Sequence, residues 1–410
     1  MNKDVVIIGV NFYPEDASTG LYTTQMAEYL SENGFYVSVI TGFPYYPQWK
    51  IWDSYSSKSS FYFEEYKGIK VYRYKQYVPS NPNLKNRVRH MLSFMFGSYL
   101  NLRKIRKAGL VIAVVPFTID AWLALKLKEK LKSKLWIHIQ DFELDAALQA
   151  GLMNRRKFGA LVEKVITRWE QRLLRKADVI STISFTMLKK LEKKTGRQGF
   201  YFPNWVDTDF IDPLKAKQHR YMSSKKFEVL YSGNIGKKQD WSLFLEVVQR
   251  FKNFSDIEFV IVGDGANKNW LLKQIEKLPN VKYYPPVPYC ELPDLLCSAD
   301  LHILFQKSKI IDSVMPSKLL GMMASAKPSV VVGHLKSEIY KIFKDSKGGV
   351  FVSSYNPEDI VIKILELKKN KFMRELMGKS ARQYVLQNFS KEKVLNRFLR
   401  QLEIVLKKEE

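Results

Sequence analysis

The chain has 410 residues, 46% of them apolar, a formal net charge of +25 and two cysteines, Cys290 and Cys297. That length and composition call for two or three domains with sizeable cores and exclude a disordered chain. The cysteine usage excludes a disulfide-stapled scaffold and, with no Cys/His cluster beside it, argues against zinc; no apolar run reaches the ~18 residues a bilayer span needs. The charge implies an anionic partner: nucleic acid, anionic lipid or a phosphorylated substrate.

Val5–Val10 (VVIIGV) reads as a first buried parallel strand rather than a signal peptide. A loop follows, Gly20 opens a helix to Leu30, Asn33-Gly34 stops it, and Phe35–Thr41 is a second strand. That order predicts a βαβ unit with its first loop at the strand's C-terminal edge, where doubly wound sheets bind ligands. Gly20 would admit a substrate or phosphate against the backbone, or it is an ordinary helix start. Phe43–Trp52, with Tyr45, Tyr46 and Trp49, is twice broken by proline and reads as an aromatic loop that contacts sugar or lipid, or else covers a core.

In Pro79–Lys107, cations that include Arg87 and Arg89 flank an apolar core containing Phe94 and Phe96. A helix here would have an oily face and cationic ends, the pattern of an interfacial anchor on anionic lipid. The alternative is a core helix with a basic end. Leu110–Val115 and Leu135–Ile139 are further strands around a helix at Ala121–Leu131. Asp141, just past the second of them, is placed for acid–base work or for capping the next helix, whereas His138 suits the core. Phe158–Lys176 reads as a basic helix, and Ala177–Ile183 and Phe200–Trp205 as strands. Asp207-Thr208-Asp209 spells a DxD that follows a Pro-Asn turn, without a third ligand beside it, so no metal site is assigned.

The polar stretch Asp212–Lys226 reads as a linker, after which strand–helix alternation restarts at Glu228–Tyr231, Glu258–Val262, Val281–Tyr284, Leu301–Phe305, Ser329–Val332 and Gly349–Val352. The domains are therefore 1–205, a linker at 206–226, 227–383, and a closing C-terminal helix at 384–410 that packs back toward the first domain. Between the first of these strands and a helix at Trp241–Phe251 lies YSGNIGKKQD, Tyr231–Asp240. Gly233 and Gly236 let the backbone approach a ligand, the helix start supplies N–H groups, and Lys237 and Lys238 add charge, a combination suited to a diphosphate. Gly263-Asp264-Gly265 makes a second turn at the same sheet edge. Pro316, Ser317 and Lys318 open another helix and form a second candidate anion site.

Taken together, PYYPQW, YVPSNP, HIQDFELDA, STIS, FPNW, YSGNIGKKQ, VGDG and MPSKL resemble the GT-B glycosyltransferases of family four, most closely the bacterial branch of colanic-acid and L-fucosamine transferases. The resemblance spans nearly the whole chain. It implies an α/β GT-B fold, two Rossmann-like doubly wound domains facing across a cleft. It also implies a retaining, metal-independent transferase without a cofactor. Such an enzyme moves a sugar, for this branch an L-fucose-type or N-acetyl-L-fucosamine one, from a nucleoside diphosphate, UDP before GDP. The acceptor would be a polyprenyl-diphosphate-linked saccharide in capsule, O-antigen or exopolysaccharide synthesis, on the inner face of the cell membrane.

By position, the resemblance sets Lys238 on the donor diphosphate, Asn234 where many members carry Arg, Gly263–Gly265 near the nucleotide, and Ser317 and Lys318 on phosphate or ribose. Gly20 would lie beside the diphosphate across the cleft, and Asp141 near the acceptor or reacting sugar. Two family glutamates eight positions apart correspond to Ser313 and Gly321, with Asp312 the nearest carboxylate. A nucleic-acid-binding protein, a non-catalytic sugar-binding protein and a Rossmann oxidoreductase are the rival readings. Against the first stands the lack of any nucleic-acid-binding motif, and against the last the lack of G-x-G-x-x-G after the first strand.

Overall fold

The structure is a computed structural model that describes residues 2–116, 118–142, 157–223, 225–308 and 317–407, with the backbone alone at 84, 157–162 and 317. The chain divides into two compact units, Met1–Pro203 with Leu395–Glu410, and Asn204–Val394.

The first unit runs β1 (Asp4–Ile8), α1 (Ser18–Glu32), β2 (Tyr36–Gly42), α2 (Asp53–Ser56), β3 (Phe61–Tyr66), β4 (Ile69–Tyr74), α3 (Leu84–Asn101), β5 (Leu110–Val115), α4 (Thr118–Leu131), β6 (Lys134–Ile139), α5 (Lys157–Arg175), β7 (Val179–Thr182), α6 (Phe185–Thr195) and β8 (Phe200–Tyr201). Among the described residues these strands form one eight-stranded sheet in the order β3-β4-β2-β1-β5-β6-β7-β8. Every pairing is parallel except that of the edge strand β3 with β4. The central strands are buried on both faces and accordingly read as unbroken β-branched runs. The β3–β4 hairpin was not expected. β3 alternates exposed and half-buried positions and β4 buried and more accessible ones, around a Lys67-Gly68 turn with positive φ at both residues. Arg73 of β4 is fully buried and ties the edge down through Glu64, Gly42 O and Tyr13 O.

The second unit holds β9 (Phe227–Ser232), α7 (Trp241–Arg250), β10 (Ile257–Val262), α8 (Lys268–Ile275), β11 (Val281–Tyr284), α9 (Leu292–Ser298), β12 (Leu301–Phe305), α10 (Ser317–Ala324), β13 (Ser329–Val332), α11 (Glu338–Ser346), β14 (Gly349–Val352), α12 (Pro357–Lys369) and α13 (Lys371–Asn388); α14 (Lys391–Lys407) begins here and ends in the first unit. Its sheet has the order β11-β10-β9-β12-β13-β14, with all pairings parallel. The strand order reverses between β9 and β12, which places the loops that follow these two strands where a doubly wound sheet opens for a ligand.

Residues 206–226 are not a free linker. Met222 joins the core of the second unit, His219 meets Glu291 at 3.1 Å, and the backbone N–H of Lys217 donates to Asp294 at 2.8 Å. The expected C-terminal helix from Tyr384 onward is interrupted after Asn388. There Val206 inserts, its N–H donating to Phe389 O and its carbonyl accepting from Lys391 N, both at 2.9 Å. Beyond the break Phe398 is buried in the first unit, stacked on Phe202 at 4.7 Å and edge-on to Trp136 at 4.9 Å.

α3 begins at Asn83, whose side chain accepts from Asn86 N. It seats on β4 through Gly97, where an added Cβ would fall 1.9 Å from the Tyr74 ring. A helix-interior Gly→Ala change in the open gains about 1 kcal/mol. Gly97→Ala should instead destabilise by about 1–3 kcal/mol through overpacking, read as a lower thermal midpoint; an unchanged or raised midpoint would show that α3 is not held this way.

Candidate functional site

In the second unit the candidate site is built from two interlocked loops and one lysine. The loop after β9 bonds at its base to β10, Gly233 N donating to Val262 O at 2.9 Å. It then meets the loop after β10, with Ile235 N donating to Asp264 O at 2.8 Å and Asn267 N to Ile235 O at 3.0 Å. Two glycines make this contact feasible. A Cβ on Gly263 would strike Gly233 O at 1.9 Å, and one on Gly265, at φ +155°, would strike Asn234 Oδ1 at 2.3 Å. Asp264 accepts from Gly265 N and pairs with Lys268, so it fixes its own turn.

Lys318, near the start of α10, reaches this loop. Its Nζ donates to Tyr231 Oη at 2.7 Å and lies 4.5 Å from the centre of that ring. A Cβ on Gly233, at φ +136°, would come within 3.1 Å of both Cε and Nζ. Tyr231 Oη in turn donates a hydrogen bond to Asn234 O at 2.6 Å. The Lys318 ammonium is thus enclosed beside an open backbone with a neutral phenol as partner, and burial pushes its pKa down to about 7. A buried cation that no carboxylate offsets among the described residues is a poised anion receptor.

Lys237 and Lys238 are exposed further along the same loop, and Lys238 O accepts from Lys307 N. The start of α7 does not serve as the expected anion site. Asp240 caps it, its carboxylate accepting from Leu243 N at 3.2 Å, so an acid already occupies that helix end. Gln239 Oε1 in turn holds Gly236 N, and Trp241 Nε1 holds Gly236 O. Pro316 and Ser313 lie outside the described residues, as does the side chain of Ser317. Gly321 faces Leu296 and Ile211. Sequence reasoning missed Tyr231; the signal available was a polar tip at the last apolar position of a strand that ends in the glycine loop.

In the first unit, Asp141 is half-buried two residues beyond β6, and the next ring, Phe142, lies beneath Lys190 and Lys194. His138 is a core residue as expected, with Nδ1 2.9 Å from Ser181 Oγ and Nε2 2.9 Å from the Gln140 amide; burial pushes its pKa down to about 3. Gly20 is buried in the first turn of α1, which starts at Ser18, and a Cβ there would meet Glu15 at 2.9 Å. Its missing side chain makes room for Glu15, a residue the sequence reading passed over. The Glu15 carboxylate is buried. One oxygen accepts from Tyr45 N and Tyr46 N, the other from Asn11 Nδ2, all at 2.7 Å, and burial raises its pKa to about 7.

The aromatic loop divides accordingly. Tyr45 is not available to a ligand, being buried against Trp49 and His90, while Tyr46 and Trp49 are half-buried and Arg87 lies over the Trp49 ring. Phe94 is likewise fully buried and cannot meet a membrane, whereas Phe96 on the other side of α3 is 62% exposed; Arg89 lies over Tyr77. The DxD carboxylate Asp207 is spent on a turn, accepting from Asp209 N and Phe210 N and pairing with Lys391.

The expected pH behaviour follows from Lys318. Its folded pKa lies below that of the unfolded chain, so the unfolded state binds the extra proton between about pH 7 and 10.5, and the ligand-free protein gains stability as pH rises through that window. Lys318→Met should be more stable than the parent near pH 7, with the difference shrinking toward pH 10. A constant difference in unfolding midpoints across that range would refute the assignment.

Comparison with known proteins places these features in a lineage. Residues 215–384 match the family described as glycosyl transferases group 1. A putative colanic acid biosynthesis glycosyl transferase, WcaI of Escherichia coli K12, is 33% identical over 96% of this chain and 98% of its own length. Among solved structures, sucrose-phosphate synthase from Thermosynechococcus elongatus aligns with a TM-score of 0.72 at 12% identity, covering 98% of this chain and 99% of its own. Anabaena HepE in complex with UDP aligns at 0.67, also at 12% identity and with the same coverage of both chains. These two likenesses bear on the fold, two Rossmann-like parallel-sheet units of GT-B type.

Proposed function

The chain belongs to the group 1 glycosyl transferases, and from that premise we propose that it transfers a sugar from a nucleoside diphosphate, UDP before GDP, to a lipid-linked saccharide in bacterial surface-polysaccharide synthesis. The observation that carries the donor half is Lys318 against Gly233 and Tyr231. It offers an enclosed lysine beside a backbone with no side chain, and a diphosphate has the charge to stabilise its protonated form. The surface-polysaccharide assignment draws on the likeness to WcaI, and the choice of UDP on the ligand of HepE. An L-fucose-type or N-acetyl-L-fucosamine sugar is the donor we favour within that class.

In this reading the bond between the anomeric carbon and the diphosphate oxygen breaks as the acceptor hydroxyl oxygen bonds to the same carbon, with retention of configuration. The barrier lies in the charge that develops on the departing diphosphate. Lys318 meets it from the enclosed side and Lys238 from the exposed loop. Fixed cations lower that barrier without a metal ion, provided they are in place before the charge appears. The acceptor proton goes to Asp141 or to the departing phosphate itself. The acceptor's carrier, a polyprenyl diphosphate, would place the reaction at the inner face of the cell membrane.

Incubation with a panel of UDP- and GDP-sugars and a polyprenyl-diphosphate-linked saccharide, with product read by mass, tests the proposal. We expect turnover with one donor class, and a loss of at least about a hundredfold in rate for Lys238→Ala, the scale of one displaced transition-state donor, with an unchanged unfolding midpoint. Absence of product from every donor would overturn the transferase reading, and a fully active Lys238→Ala would remove that residue from the site.

A further inference from the structure

We infer that Glu15 is a positioning residue for the acceptor saccharide, acting through the aromatic loop that it holds in one conformation. The inference rests on the reading of this protein as a transferase whose first unit takes the acceptor, and it names what sets the shape of that surface. The loop follows β2 at the C-terminal edge of the sheet, where doubly wound sheets bind ligands. Its outer part, from Tyr46 to Lys50, is half-buried or exposed. Tyr46 and Trp49 there offer ring faces with polar tips, a combination that suits a sugar.

Buried polar groups hold this loop. Gln76 Oε1 accepts from Phe43 N at 2.7 Å while its amide donates to Phe43 O at 3.0 Å, and Arg73 donates to Gly42 O at 2.9 Å. Glu15 takes the centre. One carboxylate oxygen receives the consecutive N–H groups of Tyr45 and Tyr46, each at 2.7 Å. Successive N–H groups turned to one point form a concavity that selects an anion, and here the anion is built into the chain. Tyr45 is thereby fixed inward, its ring centre 4.8 Å from His90 and 5.3 Å from Trp49. Trp49 stands at φ +53°, a backbone conformation that a non-glycine residue rarely keeps without support. The bonds to Glu15 are strongest when it is ionised, and burial brings its pKa to about 7. The charged and titratable groups that act on it are Arg73 from β4 and Tyr46 from the loop itself. Around Trp49 the others are Arg87 and His90 of α3, and burial pulls the His90 pKa below its ordinary value. The loop is therefore held firmly above neutral pH and loosened as Glu15 takes up a proton.

The test has one arm without substrate. In protein labelled with fluorotryptophan, the fluorine resonance of Trp49, assigned with Trp49→Phe, is followed across neutral pH. We expect a transition near pH 7 that is absent in Glu15→Gln, a change that keeps the shape and removes the charge. The second arm uses the donor and the polyprenyl-diphosphate-linked saccharide that turn over together, with donor saturating and acceptor varied. Glu15→Gln should raise the acceptor KM at least about tenfold, the scale of one hydrogen bond to a charged group, with kcat and donor KM unchanged. It should add nothing to the loss caused by Trp49→Ala, because both act through one loop. A parent resonance that does not move near pH 7, a transition that persists in Glu15→Gln and so belongs to His90, or an unchanged acceptor KM overturns the assignment while leaving the transferase reading intact. Absence of turnover with every donor strikes the transferase reading and the acceptor role with it, while the resonance transition would still assign control of the loop to Glu15.

Discussion

The second unit, the proposed donor half, depends on one strained electrostatic arrangement, a lysine ammonium held beside bare backbone. Lys318 could relieve its desolvation in water, yet α10 aims it at Gly233 and, among the described residues, gives it the Tyr231 hydroxyl as its hydrogen-bond partner. Much of the surrounding geometry serves to keep that space open. Gly263 lets the carbonyl of Gly233 pass, Gly265 lets the Asn234–Ile235 segment close down, and Tyr231 anchors Asn234 from beneath. A side chain at Gly263 or Gly265 would have to displace main chain rather than a mobile tip. The sheet places this construction at the reversal of strand order between β9 and β12, where two loops diverge and leave room for a ligand.

The first unit shows a different economy, with buried polar groups tying loops together at the sheet edge. Glu15 gathers the main chain of Tyr45 and Tyr46, and Arg73 gathers Tyr13, Gly42 and Glu64. The aromatic loop is thereby fixed against α3, through the contacts of Tyr45 and Trp49 with His90 and of Arg87 with Trp49. α3 and a loop read as meeting a saccharide are thus mechanically joined within one unit, so placement of one constrains the other.

Most of the scaffold was legible because parallel strands buried on both faces must be written as continuous apolar runs, as in VVIIG and LVIAVV. The β3–β4 hairpin was missed because alternate residues of each strand are only partly buried or exposed, so FYFEEY and IKVYRY lack that signature. The glycine loops and Lys318 were legible as residue types, but that the start of α7 would be capped was not. Asp240 was visible beside the lysines, and its carboxylate turns out to cap α7. Phe94 and Phe96 were assigned together although residues two apart on a helix point to different sides; spacing alone would have separated them. Tyr45 looked like its neighbours in the aromatic loop, and only the contact with Glu15 and His90 shows that it faces inward.

The central claim is that the enclosed Lys318 ammonium awaits a diphosphate. Its protonation can be followed directly by NMR of the lysine side-chain resonances, assigned with Lys318→Met, in the free protein and with saturating UDP. The account predicts a free pKa near 7 that rises toward the ordinary lysine value when the nucleotide binds, because the diphosphate supplies the missing counter-charge. A Lys318 that titrates identically with and without bound UDP would contradict it.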